Sequence, residues 1–197
     1  MSNYPYYPGI ADDQFIRGDI PMTKQEIRIQ VLAKARIAKG DTIIDIGAGT
    51  GSLSIEAALQ SQTGAVFAIE REPEGIDLIK ANAQRFNTPG VSAILGSAPE
   101  AMMPLPQADV ILIGGSGGKL SAILTEADRL LQVGGRLVIT AVTVETLHSA
   151  LQELKKRNYP SEACGIQVSR IRAVGSSHMF QALNPIYIIS AIKEAEY

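Results

Sequence analysis

The spacing of hydrophobic and polar positions changes several times along the chain, and each change marks an element. Short apolar runs rich in β-branched residues recur at 42–46, 65–69, 91–95, 110–113 and 136–142. Such runs, too short for helices and without alternation, are the pattern of strands buried on both faces of a parallel sheet. Between them, longer stretches at 52–60, 73–86, 120–131 and 144–157 predict helices. Pro73 stands at one of these starts, where its missing N–H has no intrahelical partner to lose. Gly134-Gly135 predicts a turn. Upstream, Thr23 followed by Glu26 is a capping box opening a helix to about Ala38, ended by Lys39-Gly40. Beyond Pro160 two strands are predicted, 164–171 and 186–192, with no helix between them long enough for a parallel crossover. Strand–helix units closed by an antiparallel pair predict a doubly wound α/β fold. Its sheet is seven-stranded and mostly parallel, with an antiparallel C-terminal strand.

Composition narrows the class. The 197 residues, 46% hydrophobic and 19% charged, are those of a globular chain, read as one domain over 1–197. Residues 1–20 form an N-terminal arm, its first nine rich in Tyr and Pro. A formal charge of −2 offers no global field for a polyphosphate backbone, so no nucleic-acid partner is expected. The single Cys164 excludes an internal disulfide; in a strand, it reads as a small buried hydrophobe. There is no basic-then-apolar leader and no apolar run of membrane-spanning length, so a cytoplasmic chain without a membrane partner is expected. No metal site is expected.

The chemistry centres on Asp45-Ile46-Gly47-Ala48-Gly49-Thr50-Gly51, directly after a strand and directly before a helix. Glycines there let the backbone turn tightly and approach a ligand closely. Nineteen positions beyond Gly51, at the end of the next strand, Glu70 is placed to accept the hydroxyls of a ribose. The spacing is G-x-G-x-G, with Ser52 where a dinucleotide fingerprint has its third glycine. Asp45 suits a cationic aminoacyl sulfonium better than a pyrophosphate. These features together fit an S-adenosylmethionine site of a class I methyltransferase. Two further loops follow at strand ends: Gly96-Ser97-Ala98-Pro99-Glu100-Ala101, similar in position to the loop on the adenine side of class I methyltransferases, and Gly114-Gly115-Ser116-Gly117-Gly118, similar in position to the one that faces the methyl acceptor there. Four glycines in five residues raise the entropy cost of ordering, which suits a broad ligand against bare backbone or a moving loop.

Several segments then occur in one order: Asp12-Asp13-Gln14-Phe15, Ile20-Pro21-Met22-Thr23-Lys24, the Asp45–Gly51 loop, Ala98-Pro99-Glu100-Ala101, Ile113 to Gly118, and Asn184-Pro185. Together they resemble the cobalt-precorrin carbon-15 methyltransferase (decarboxylating) family of vitamin B12 biosynthesis, over about residues 9 to 193. The resemblance implies methylation of carbon 15 of a cobalt-precorrin, loss of carbon dioxide from the ring C acetate, and a homo-oligomer, a tetramer. It places cofactor contacts on Thr23, Gly47, Ala48, Gly49, Thr50, Gly51, Glu70 and Ala98. Ser97 stands where the family usually has a carboxylate.

No catalytic dyad is visible, which suits methyl transfer by alignment onto a conjugated tetrapyrrole that supplies its own nucleophilic carbon and electron sink. His148 reads as a helix surface or packing residue and His178 as the better substrate-facing candidate. The acceptor's carboxylates need cations or N–H groups. Arg17, Lys24, Arg170 and Arg172 border the expected acceptor face, and Gly115, Ser116, Gly117 and Gly118 offer a backbone cradle. Asn184-Pro185-Ile186-Tyr187 reads as a turn. Other acceptors (tRNA, protein), a non-catalytic nucleotide-binding subunit and an NAD-dependent oxidoreductase are the rival readings.

Overall fold

The structure is a computed structural model that describes residues 8–195. Each β-branched run forms a strand: β1 (Ile43–Ile46), β2 (Val66–Glu70), β3 (Val91–Leu95), β4 (Ala108–Ile113) and β5 (Leu131–Ala141). The intervening helices are α2 (Ser52–Ser61), α3 (Pro73–Arg85), α4 (Leu120–Leu130) and α5 (Val144–Lys156), with α1 (Gln25–Ala35) ahead of β1. After α5 come β6 (Ser161–Ile166), β7 (Ser169–Val174), β8 (Ser177–Ala182) and β9 (Ile186–Ile192). The main sheet runs β3-β2-β1-β4-β5-β9-β6. Its first five strands are parallel and β9 is reversed against both β5 and β6.

Strand side chains alternate between faces, so one run feeds two cores. Ile44, Ile46, Ile111, Ile113 and Ile139 pack with Ile123, Leu124 and Ala127 of α4 and Ala150 and Leu154 of α5. Ile43, Val110, Leu112 and Val138 pack on the other side with Ile27, Val31 and Leu32 of α1 and Leu53 and Ala57 of α2. No helix of the described residues is long and apolar enough to cross a membrane.

Four details depart from the sequence reading. Thr23 does not cap α1. Lys24 occupies the cap position without a side-chain bond, and the Gln25 N–H donates to Asp12 Oδ1 at 2.9 Å. A carboxylate is favoured at a helix N-terminus over a neutral hydroxyl, and the arm delivers one. The helix stops at Ala35, before the expected Ala38, because Arg36 adopts a left-handed conformation. Gly134-Gly135 is no turn between elements: β5 runs through it, with a register shift that seats residues 132–135 as a bulge. The predicted strand 164–171 breaks after Ile166, and β7 pairs instead with β8 in a separate hairpin. That hairpin carries His178 on β8, outside any loop.

The N-terminal arm, from Gly9 on, is pinned to the body; its residues 1–7 lie outside the described range. Gly9 and Ile10 N–H groups donate to Glu56, Ile16 exchanges two hydrogen bonds with Asn82, and Asp19 N–H donates to Glu74. Phe15 is buried beside Phe86. Arg28, fully buried, gathers these pieces: it pairs with Glu56 and Asp12 at 2.8 Å each, donates to the carbonyls of Thr23 and Ile10, and lies over the Phe15 ring.

Candidate active site

The strand order turns back at β1 and β4, so the chains leaving their carboxyl ends diverge and open a cleft. It holds a cavity of about 340 Å³, a size that suits a small-molecule ligand. Ile46, Ile69 and Ile123 give it apolar surface, and the loops after β1, β2, β3 and β4, with Ile20 and Pro21 of the arm, supply the rest.

The loop after β1 is locked by its own packing. Gly47, Gly49 and Gly51 all have positive φ, which side chains rarely tolerate. A Cβ on Gly47 would stand 2.8 Å from Gly115 N, one on Gly49 2.6 Å from the Pro21 carbonyl, and one on Gly51 2.9 Å from Ile79. Gly47 and Ala48 N–H groups both donate to the Ile69 carbonyl. Asn82 of α3 donates to the Thr50 carbonyl and so joins loop to arm. Thr50 Oγ1 is buried with no hydrogen-bond partner among the described residues, an orphan hydroxyl inside the loop.

Glu70 ends β2 nearly buried, with its carboxylate turned into the loop. Oε2 accepts from Gly49 N–H at 2.8 Å; Oε1 accepts from the N–H groups of Arg71 and Glu72 at 2.8 and 3.0 Å. Gly75 of α3 permits this approach, since a Cβ there would lie 2.5 Å from Glu70 Cγ. A carboxylate has about four lone-pair sites, so it keeps room for a ligand hydroxyl while shaping the loop. Asp45 does not line the cavity. It is buried beneath the loop and accepts from Ser54 Oγ at 2.5 Å. Burial pushes its carboxyl up to about 6, and the Glu70 charge adds to the rise, against the opposing Ser54 hydrogen bond.

The loop after β4 differs. Gly114 and Gly115 N–H groups both donate to the Ile46 carbonyl, so the Gly115 N–H is engaged and is no part of a free cradle. The N–H groups of Ser116, Gly117 and Gly118 have no acceptor among the described residues. A Cβ on Gly115 or Gly118 would meet nothing within 4 Å. In the loop after β3, Ser97 and Ala98 line the cavity.

Of the residues singled out from sequence, Gly47, Gly49, Glu70, Ala98, Gly115, Ser116 and Gly117 line one cavity. Ala48, Thr50 and Gly51 support it from within the same loop; Thr23 and Gly118 are outside its lining. Arg170 is outside the lining: it sits on β7, where Glu26 at 2.8 Å and Asp12 at 3.3 Å hold its guanidinium. Arg17, Lys24, Arg172, His148 and His178 are also absent from the lining. Sequence reasoning missed Arg71, Glu72 and Lys119, which do line it; adjacency to Glu70 and Gly118 was the available signal. With the Gly47, Ala48 and Gly49 N–H groups already engaged inside the protein and the Glu70 carboxylate at the rim, the site fits an uncharged ribose and adenine better than a polyphosphate.

This sheet order, with a glycine loop after β1 and an acid at the tip of β2, is the fold of class I methyltransferases. The same fold occurs in a SAM-dependent O-methyltransferase from Thermotoga maritima, with TM-score 0.75 over 89% of this chain and 68% of that one; at 18% identity the likeness is of fold alone. The family model of the precorrin methyltransferase domain matches residues 14–193, and the chain belongs to that family. A relative from Salmonella typhimurium, named cobalt-precorrin-6B C(15)-methyltransferase (decarboxylating), is 40% identical over 95% of this chain and 98% of its own length. A crystal structure of precorrin-6y C5,15-methyltransferase from Geobacter metallireducens GS-15 superposes with TM-score 0.88 at 38% identity, covering 94% of this chain and 97% of that one.

Proposed function

We propose that this chain transfers a methyl group from S-adenosylmethionine to carbon 15 of cobalt-precorrin-6B and releases the ring C acetate carboxyl as carbon dioxide, giving cobalt-precorrin-7. One observation carries the reading: the glycine loop and Glu70 converge on a single cleft, in a chain 40% identical across 95% of its length to a relative of that name. When bound, S-adenosylmethionine supplies an activated methyl on a sulfonium. The chain's own part is alignment. Glu70 has room for a ribose hydroxyl, Ser97 and the Ala98 N–H face the adenine side, and the loop after β4 holds the acceptor. Such positioning is worth several kcal/mol of barrier, about 7–11 in the best intramolecular cases. The macrocycle then accepts the electrons left by the departing carboxyl. The cavity lining contains no histidine, and its titratable residues are Glu70, Arg71, Glu72 and Lys119. That suits chemistry carried by the substrate.

The whole chain is proposed to act as one cytoplasmic domain assembled as a homo-oligomer, a tetramer. The β7–β8 hairpin supports assembly: it stands outside the main sheet and exposes Ile171, Met179 and, at 82%, Phe180. Exposed apolar side chains on an unpaired hairpin invite a partner. Light scattering on a sizing column measures the mass.

Incubation with methyl-labelled S-adenosylmethionine and a precorrin-6B pool tests the activity. A product that has gained one labelled methyl and lost one carbon dioxide is expected. Label transferred to tRNA or protein, with the macrocycle unchanged, overturns the assignment.

A further inference from the structure

Two long cations cross the mouth of the cavity, and neither belongs to the glycine loop. Arg71 leaves the tip of β2, and its Nη1 lies 3.5 Å from where a Cβ on Gly117 would stand. Its side chain therefore reaches over the end of β1 to the loop after β4. Lys119 crosses the other way, from the loop after β4 to Glu100 in the loop after β3, at 3.2 and 3.4 Å. Both side chains line the cavity and both are more than half exposed. Their counter-charges are weakly held: Arg71 Nε meets Glu72 at 3.1 Å, and among the described residues Lys119 meets only Glu100. Solvent-exposed pairs of this kind contribute little and exchange readily. The two terminal guanidinium nitrogens of Arg71 donate to nothing among the described residues. The N–H groups of Ser116 and Gly117, without an acceptor among the described residues, belong to the same lining, and Gly118 follows beside it.

Resting on the proposed function, we infer that Arg71 and Lys119 form a carboxylate clamp that reads the acceptor's acidic side chains. The polycarboxylate macrocycle takes over both cations, displacing Glu72 and Glu100, while its ring lies against the bare backbone at Gly115 and Gly118. A guanidinium offers a carboxylate two parallel N–H bonds, which Glu72 does not use. The clamp makes Glu100 a competitor of the substrate, so Lys119 and Glu100 have effects of opposite sign. A merely structural ion pair does not behave so, because loss of either partner then has the same consequence.

The test titrates a corrin polycarboxylate (cobyrinic acid) and its fully esterified form into the S-adenosylhomocysteine complex of the wild type, Arg71→Gln, Lys119→Gln and Glu100→Gln. Arg71→Gln and Lys119→Gln should each weaken binding of the acid by about tenfold or more, as for loss of a charge-assisted hydrogen bond. Glu100→Gln should tighten it. Binding of the ester and of S-adenosylhomocysteine should stay the same in all four proteins, and so should the melting temperature, since the side chains are exposed. Unchanged acid binding in both cation variants overturns the clamp, as does a loss of ester binding equal to that of the acid. Wild type that binds S-adenosylhomocysteine but neither macrocycle overturns the proposed function and the clamp together.

Discussion

The two glycine-rich loops of the cleft look alike in sequence and differ in what they answer to. In the loop after β1 each glycine is required by the protein itself: the backbone is left-handed, and the space beside it is filled by Gly115, Pro21 or Ile79. In the loop after β4, Gly115 and Gly118 have no such neighbour. The first loop is a rigid wall that the fold holds in shape before any ligand arrives. In the second, Gly117 and Gly118 are also left-handed, but Gly115 is bare where neither backbone conformation nor a neighbour excludes a side chain, and a ligand is what remains to account for it. A glycine motif alone does not separate these cases; the volume around each Cα does.

Gly49→Ala breaks the comparison hardest. A left-handed alanine costs about 1–2 kcal/mol and overlap with fixed neighbours about 1–3 more. The Pro21 carbonyl at 2.6 Å is backbone and cannot swing away. Denaturant unfolding should therefore show a loss of about 2–5 kcal/mol, with the arm detached from the loop.

Asp45 sharpens the view of the first loop as a prestressed element. Its carboxyl ionises near 6 in the folded chain against an ordinary 3.8, so the folded state holds that proton the more tightly. Stability from this group is fully present below about pH 4 and diminishes as pH rises through 6, by about 3 kcal/mol in all. The difference between wild type and Asp45→Asn, measured by urea unfolding from pH 4 to 7, should change by that order in favour of the variant. A difference that is flat with pH would show that Asp45 ionises as it does in the unfolded chain.

Gly115→Ala should have the smallest effect on the fold. Its φ is not positive and its Cβ meets open space, so unfolding should shift by less than about 0.5 kcal/mol. Methyl transfer to the macrocycle should nevertheless fall by about 10–100-fold, the penalty for a small displacement of a reacting partner. An equal loss of stability and of turnover would make the second loop structural like the first.

What could be read from the sequence follows the range of the interactions involved. The strands β1 to β4 and the helices after β1, β2 and β4 were legible because burial on two faces and helical periodicity are local signals. The Asp45–Gly51 loop and Glu70 were legible because one strand–loop–helix unit and the next strand end suffice to place them. The helix start at Thr23 was misread because the group that caps it, Asp12, comes from thirteen positions before Gln25. The Arg28–Glu56 pair was invisible for the same reason, joining α1 to α2 across 28 positions. The β7–β8 hairpin was missed because almost none of its residues is buried, and without burial there is no alternation to read. Arg170 was assigned to the substrate because a sequence shows a cation and hides the Glu26 and Asp12 that occupy it.

The division of labour between the loops is tested most directly by titrating S-adenosylhomocysteine into wild type, Glu70→Ala and Gly115→Ala. The account predicts binding to wild type and to Gly115→Ala with equal affinity, and binding to Glu70→Ala weaker by about 1–3 kcal/mol. Equal affinity for Glu70→Ala, or NAD binding in place of S-adenosylhomocysteine, would contradict it.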